Sequence, residues 1–206
     1  MRTKVLTWDD MEELLALLEE GGVIAFPTDT VYGIGVLYDH IDAVQRMKDA
    51  KERDALKPFP LMVSSYGQLE DMVCGIKEYE PLIRRFMPGA LTIVVKRGEK
   101  IPAFAVNGKD TVAVRMPDDE HCLELLRKAG PMLVTSANMS GQPAAVDENG
   151  VLAQLDGRIA AVVKGHAGSG TASTIIDLTR DHPVILREGG ITAEDLEPYI
   201  PKEETR

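Results

Sequence analysis

The sequence predicts an α/β fold: one domain with a twisted mixed sheet, flanking helices and a central concave cationic cleft. Three observations support this. Short apolar runs bounded by Gly, Pro and Asn recur along the chain and read as buried strands. Between them lie stretches with apolar residues at helical spacing. The two kinds alternate irregularly, which favours a mixed sheet over a purely parallel one.

The 206 residues suit a single domain over 1–206, with a core of about 7–200 and a solvated tail at 201–206. That length buries a core without disulfide staples. Cys74 and Cys122 stand far apart, and the four histidines complete no zinc spacing, so the expectation is no metal site and a reducing cytoplasm. Residues 1–6 lack the apolar core of a signal peptide, and no apolar run reaches membrane-spanning length. A net charge of −10 argues against a protein whose main task is gripping nucleic acid. Anionic small substrates then need a local pocket of Lys and Arg.

Residues 7–20 read as a helix, capped by Thr7, with Met11, Leu14, Leu15 and Leu18 as its stripe and Gly21-Gly22 as its stop. Residues 23–26 form a buried strand ended by Pro27, which has no N–H for the ladder. Thr28, Asp29, Thr30 and Tyr32 then place polar groups at a strand's carboxyl end, where open α/β sheets bind ligands. Gly33 and Gly35 read as positions where the backbone turns or approaches a ligand. Residues 41–51 are a second amphipathic helix with Ile41, Val44 and Met47 inward. Strands are expected at 60–64, 91–96, 111–115, 132–135, 160–163, 173–178 and 184–186. Helices are expected at 68–74, 80–87, 119–129, 151–155 and 193–199. The segment 165–171 fails the P-loop pattern, because Thr171-Ala172 follows Gly170 where Lys-Ser/Thr is needed, and it reads as a flexible glycine loop able to fold over a ligand.

The polar strand ends supply cations from Lys51, Arg53, Lys57, Arg115 and Arg187, and hydroxyls and amides from Thr28, Thr30, Tyr32, Thr111, Ser136, Asn138 and Ser173. Lys48, Lys51, Arg53 and Lys57 cluster where cations also simply stabilise a helix C-terminus. No Ser–His–Asp order, Cys–His pair or isolated carboxylate pair suggests itself. A site that positions anions and steadies developing charge suits phosphoryl or nucleotidyl transfer.

Six segments in order carry a resemblance: Pro27-Thr28-Asp29-Thr30-Val31-Tyr32-Gly33, Lys51-x-Arg53, Pro88-Gly89-Ala90-Leu91-Thr92, Thr111-Val112-Ala113-Val114-Arg115, Ser136-Ala137-Asn138-x-Ser140-Gly141 and Ser173-Thr174-Ile175-Ile176-Asp177. With them the chain resembles the YrdC-like family of threonylcarbamoyl-AMP synthases, in its short form, from about residue 22 to 190. The resemblance implies that bicarbonate and L-threonine form an N-carboxylated threonine, whose carboxylate attacks the α-phosphorus of ATP and releases pyrophosphate. It implies a catalytic set of Lys51, Arg53, Ser136 and Asn138, with Lys51 and Arg53 neutralising the phosphates. Thr30, Arg115, Ser136 and Ser173 are similar to the threonine-binding set. Arg53, Lys57, Thr111, Asn138, Arg187 and the backbone near Val146 are similar to the ATP-binding set. Mg²⁺ would ride on the phosphates, and no tightly bound cofactor is implied. Implied partners are a separate threonylcarbamoyl transferase complex and, transiently, tRNA; there is no membrane, and the state is monomer or weak homodimer. Two departures stand out: Asp54 follows Arg53 where the family has Pro, and Ala172 precedes Ser173-Thr174. The rivals are a YciO-type paralogue, a double-stranded RNA or tRNA-binding module using the same cleft, and a carbamoyl-transfer domain of a hydrogenase-maturation enzyme.

Overall fold

A computed structural model describes residues 2–52 and 58–200. The chain begins with β1 (Lys4–Leu6), α1 (Met11–Glu19), β2 (Ile24–Phe26), β3 (Gly33–Leu37) and α2 (Ile41–Lys51). Then follow β4 (Leu61–Met62), α3 (Tyr66–Met72), β5 (Val73–Cys74), α4 (Glu80–Phe86), β6 (Leu91–Arg97) and β7 (Thr111–Arg115). The remainder is α5 (Glu120–Ala129), β8 (Met132–Ser136), α6 (Glu148–Leu155), β9 (Ala161–Val163), β10 (Thr174–Asp177), β11 (Val184–Arg187) and α7 (Ala193–Leu196).

All strands join one sheet in the order β1-β9-β2-β3-β8-β4-β7-β6-β10-β11, with β5 paired to β6. The sheet is mixed: β9 runs parallel to β1 and β2, β4 to β7, and β6 to β10, while the other pairings are antiparallel. One face is covered by α1 and α5, whose Leu14, Leu18, Leu125 and Leu126 pack on Ile24, Phe26, Val134 and Val163. The other face carries Ile34, Leu61, Ile93, Val114 and Ile176 against Met47 of α2, Leu69 of α3, Leu82 of α4 and Val151 of α6. Each such buried aliphatic side chain stabilises the fold by about 1.5–3 kcal/mol. Among the described residues, none from β7, β6, β10 or β11 joins the α1–α5 layer, so that half of the face stays open.

Local chemistry sets the helix starts. Asp119 accepts from the Cys122 N–H (2.8 Å) to open α5, and Asp147 accepts from the Gly150 N–H (2.7 Å) to open α6. Before α1, residues 8–10 form a 3₁₀ turn inside a Thr7–Asp10 capping box, so the first helix is shorter than its stripe suggests.

Several expectations are corrected. Gly33 and Gly35 lie inside β3, not in a turn, where a side chain would press on the neighbouring strand; Gly33 also lines the cavity described below, which leaves the expected close approach to a ligand standing. A Cβ at Gly33 would sit 2.8 Å from Val134 Cγ1, and one at Gly35 would sit 2.9 Å from Met132 Cε. Val73 and Cys74 leave the expected helix to pair with Arg97 and Lys96. Ile41 opens α2 facing solvent, 58% exposed, while Val44 and Met47 are buried. Strand β1 was not anticipated, and the expected tail at 201–206 lies outside the described residues.

Candidate functional site

Strands β4, β7, β6, β10 and β11 bring one residue each into a single cross-strand row on the open face. Met62 stands opposite Arg115, Arg115 opposite Thr92, Thr92 opposite Ile175, and Ile175 opposite Arg187. Strand alternation sends their neighbours Val114, Ile93 and Ile176 into the core behind. All five residues of the row line a cavity of about 420 Å³, together with Thr30, Ser136 and Ser173. That volume is in the range of small-molecule sites, about 300–1,000 Å³. A second hollow, of about 450 Å³, is lined by Asp49 as well as by Arg46 and Arg158, so acidic and basic groups both face it. Arg46 donates to the Glu20 and Gly21 carbonyls, and Arg158 pairs with Glu52.

Arg115 is the most constrained cation in the cavity. Its Nη1 donates to Thr30 Oγ1 (2.7 Å), its Nη2 to Asp29 Oδ1 (2.6 Å), and its Nε to the Gly89 carbonyl (3.1 Å). Three acceptors for five N–H groups leave one on each terminal nitrogen unspent. Thr28 donates to the Val31 carbonyl (2.8 Å), so in its 3.1 Å contact with Thr30 the Thr30 hydroxyl is the donor. This chain of protons therefore runs away from the cavity and ends on a backbone oxygen. Burial pushes the Asp29 carboxyl above its ordinary value, against the opposing pull of Arg115 and the Asp118 backbone. From the sequence Asp29 is one of the polar groups at a strand end, with no role of its own. Here it is the acid that fixes the arginine, and its position one residue before Thr30 in the same motif was the available signal.

Arg187 holds the far end of the row. Its Nη2 and Nε donate to the Ser173 carbonyl (2.7 and 3.1 Å), and Nη2 also reaches Ser173 Oγ at 3.3 Å. Burial and the nearby Arg115 both lower its pKa. Two guanidinium groups close enough to disfavour each other, one of them paired with Asp29, in a cavity with no carboxylate among its described lining residues, make a seat for anions.

Lys51 is only 1% exposed and is not among the described lining residues of the cavity. Its ammonium donates to the Ser136 carbonyl and, at 2.7 Å, to the Asn138 carbonyl, while its own carbonyl accepts from Ser140 N–H (3.1 Å). The expected Lys51, Ser136 and Asn138 group is thus one folded unit, with the lysine inside the loop instead of projecting into the cavity. Asn138 spends its amide N–H groups on the Met139 and Gln142 carbonyls (2.9 and 2.7 Å), leaving Oδ1 buried with no partner among the described residues. Thr111 begins β7, four residues before Arg115, and Val146 is 39% exposed beside the glycine loop; neither is among the cavity-lining residues. Tyr32 is buried and donates to the Val163 carbonyl (2.9 Å), so its hydroxyl serves the core. Arg53 and Lys57 lie outside the described residues.

The 165–171 segment, expected as a flexible glycine loop, lies against the polar end of β2. The N–H groups of Gly168, Ser169 and Gly170 donate in succession to the carbonyls of Thr28, Asp29 and Thr30 at 2.9, 2.9 and 2.8 Å. A Cβ at Gly168 would come within 2.2 Å of the Asp29 carbonyl oxygen, so only glycine permits the approach. Gly168→Ala is expected to cost about 2 kcal/mol of overpacking strain, lowering the melting temperature by about 4–8 °C in a scanning fluorimetry experiment.

The Sua5_yciO_yrdC family model, described as "Telomere recombination", matches residues 16–189. The chain belongs to this family. Among Sua5/YciO/YrdC members, the threonylcarbamoyl-AMP synthase of Bacillus subtilis is 41% identical over 189 residues, covering 90% of this chain and 55% of the relative. A Pyrococcus abyssi Sua5 structure complexed with L-threonine has a TM-score of 0.90 at 36% identity, covering 97% of this chain and 61% of that one. Escherichia coli YciO shares the fold at a TM-score of 0.86 and 23% identity, covering 94% and 99% of the two chains. The chain therefore spans about half the length of the curated synthase it matches, 55%. Among the described residues no helix is long and apolar enough to cross a membrane, and no three His, Cys, Asp or Glu side chains group to hold a metal ion.

Proposed function

We propose that this chain is an L-threonylcarbamoyladenylate synthase, a nucleotidyltransferase that condenses ATP, L-threonine and bicarbonate for tRNA modification. The observation that carries the reading is the shared row of Arg115 and Arg187. Two cations on one cavity floor offset the mutual repulsion of an amino-acid carboxylate and a triphosphate. The likeness to a threonine-bound Sua5 at 36% identity supports the amino-acid half.

The chemistry has two steps. The threonine amine, as the free base, takes up the carbon of bicarbonate, forming an N–C bond and releasing water. The new carbamate oxygen then attacks the α-phosphorus of ATP, and the bond to the β-phosphate oxygen breaks, so that pyrophosphate leaves. Arg115 would hold the amino acid's own carboxylate, a role for which the planar fork suits Arg better than Lys. Arg187 would face the nucleotide, with Arg53 and Lys57 taking further phosphate charge. Lys51 would act through the Ser136–Asn138 loop that it holds, adding positive potential. Mg²⁺ would arrive as the counter-ion of the nucleotide, coordinated by phosphate oxygens. The product, a reactive mixed anhydride, requires a separate transferase to carry the acyl group to tRNA.

The test is mass spectrometry of the purified protein with ATP, L-threonine and bicarbonate. An adduct of AMP carrying threonine plus the elements of CO₂ is expected only when all three are present. Appearance of the adduct without bicarbonate, or tight RNA binding with no turnover of ATP, would replace this reading.

A further inference from the structure

Thr92 has no role in the reading above, yet it sits between the two arginines in the row and is 3% exposed. Its hydroxyl lies 2.7 Å from Ser173 Oγ, the residue that Arg187 grips. Two hydroxyls joined by one hydrogen bond spend one proton between them and keep the other. No carbonyl, carboxylate or hydroxyl among the described residues accepts that second proton. On the opposite side of the cavity the proton chain from Arg115 through Thr30 and Thr28 ends on the Val31 carbonyl and is fully used.

We infer that Thr92 donates this remaining proton to the substrate carboxylate held by Arg115, making it a third hydrogen-bond donor to the amino acid. The inference rests on the proposed synthase activity. Of the two directions open to the shared hydroxyl bond, the one used here has Ser173, itself accepting from Arg187, donate to Thr92, so that Thr92 donates across the strand gap to the carboxylate that also receives the two unspent N–H groups of Arg115. The cation at the start of this chain polarises each hydroxyl in turn and strengthens the last bond. Arg187 thereby contributes to amino-acid affinity without touching the amino acid.

Titration calorimetry of L-threonine, and separately of ATP, into the wild-type protein and two variants tests this. Thr92→Val keeps the shape and loses the hydroxyl; it is expected to raise the Kd for threonine about tenfold and to leave that for ATP within about twofold. Thr92→Ser restores the hydroxyl and is expected to bind threonine within about threefold of wild type, which covers the case in which the valine variant folds poorly. L-Threoninol, which lacks the carboxylate, serves as the second probe: its weak binding should be insensitive to Thr92→Val. Unchanged threonine affinity in a folded Thr92→Val protein, or equal losses for threonine and ATP, would overturn the role of Thr92 and leave the synthase reading standing. Absence of threonine binding by the wild type would instead sink the synthase reading.

Discussion

Arg115→Ala is expected to lower kcat/KM for L-threonine about a hundredfold while the KM for ATP stays within about threefold. The side chain donates to Asp29, Thr30 and Gly89 and keeps two N–H groups for a ligand. Losing a charge-assisted pair of bonds to a carboxylate costs about 2–5 kcal/mol, and each 1.4 kcal/mol is about tenfold. Arg115→Lys keeps the charge beside Asp29 and loses the fork, so it should recover the fold but little of the affinity. Steady-state kinetics with each substrate varied in turn checks the split; equal losses on both sides would remove the assignment. The alanine variant also leaves Asp29 buried without its cation. The folded-state pKa of Asp29 is already raised. Its neutral form then favours folding at acid pH, and stability is lost as pH rises through that elevated value. Thermal melts of Arg115→Ala between acid and neutral pH should therefore fall as pH rises, more steeply than those of the wild type.

The second large effect is expected at Lys51. Replacing it with Met keeps the stem and removes the ammonium from the Ser136 and Asn138 carbonyls. A buried acceptor left without a donor costs about 1–3 kcal/mol, partly offset here by no longer burying a charge. A net loss of about 2 kcal/mol, a fall of about 4–8 °C in Tm, is the expected result. Because Ser136 lines the cavity, a loosened 136–140 loop displaces it, and misplacement by about 1 Å can cost a hundredfold in kcat. Melting curves and kcat for Lys51→Met measure both; a normal kcat with a lowered Tm would confine the lysine to folding.

The strands that build the site were legible because they announce themselves locally. Residues 111–115 are β-branched or small apart from their terminal arginine, and 132–135 are apolar up to Thr135. What stayed hidden depends on partners distant in sequence. Strand β1 is three residues long and is a strand only because β9, some 157 positions later (Lys4 to Ala161), lies beside it. Val73 and Cys74 look helical until β6 offers its edge. Gly33 and Gly35 looked like a turn, because their reason for lacking side chains is the bulk of Val134 and Met132 on the next strand. The site divides the same way. Arg115, Ser173 and Arg187 were found as polar strand ends, whereas the service of Asp29 to Arg115 and the pairing of Thr92 with Ser173 exist only after the sheet has aligned residues 81 and 86 positions apart. Composition marks 165–171 as a glycine loop, but only the folded chain shows that its glycines let one backbone lie against another.

Arg115 and Arg187 stand on β7 and β11, with β6 and β10 between them. The distance separating their charges is therefore set by how strongly four adjacent strands coil. That curvature is fixed on the hidden side, where Ile93, Val114 and Ile176 fill the core. Trimming one of those aliphatic groups is expected to relax the coil and shift both arginines at once. The spacing of the two charges is tuned by residues buried behind the sheet, out of reach of anything that enters the cavity.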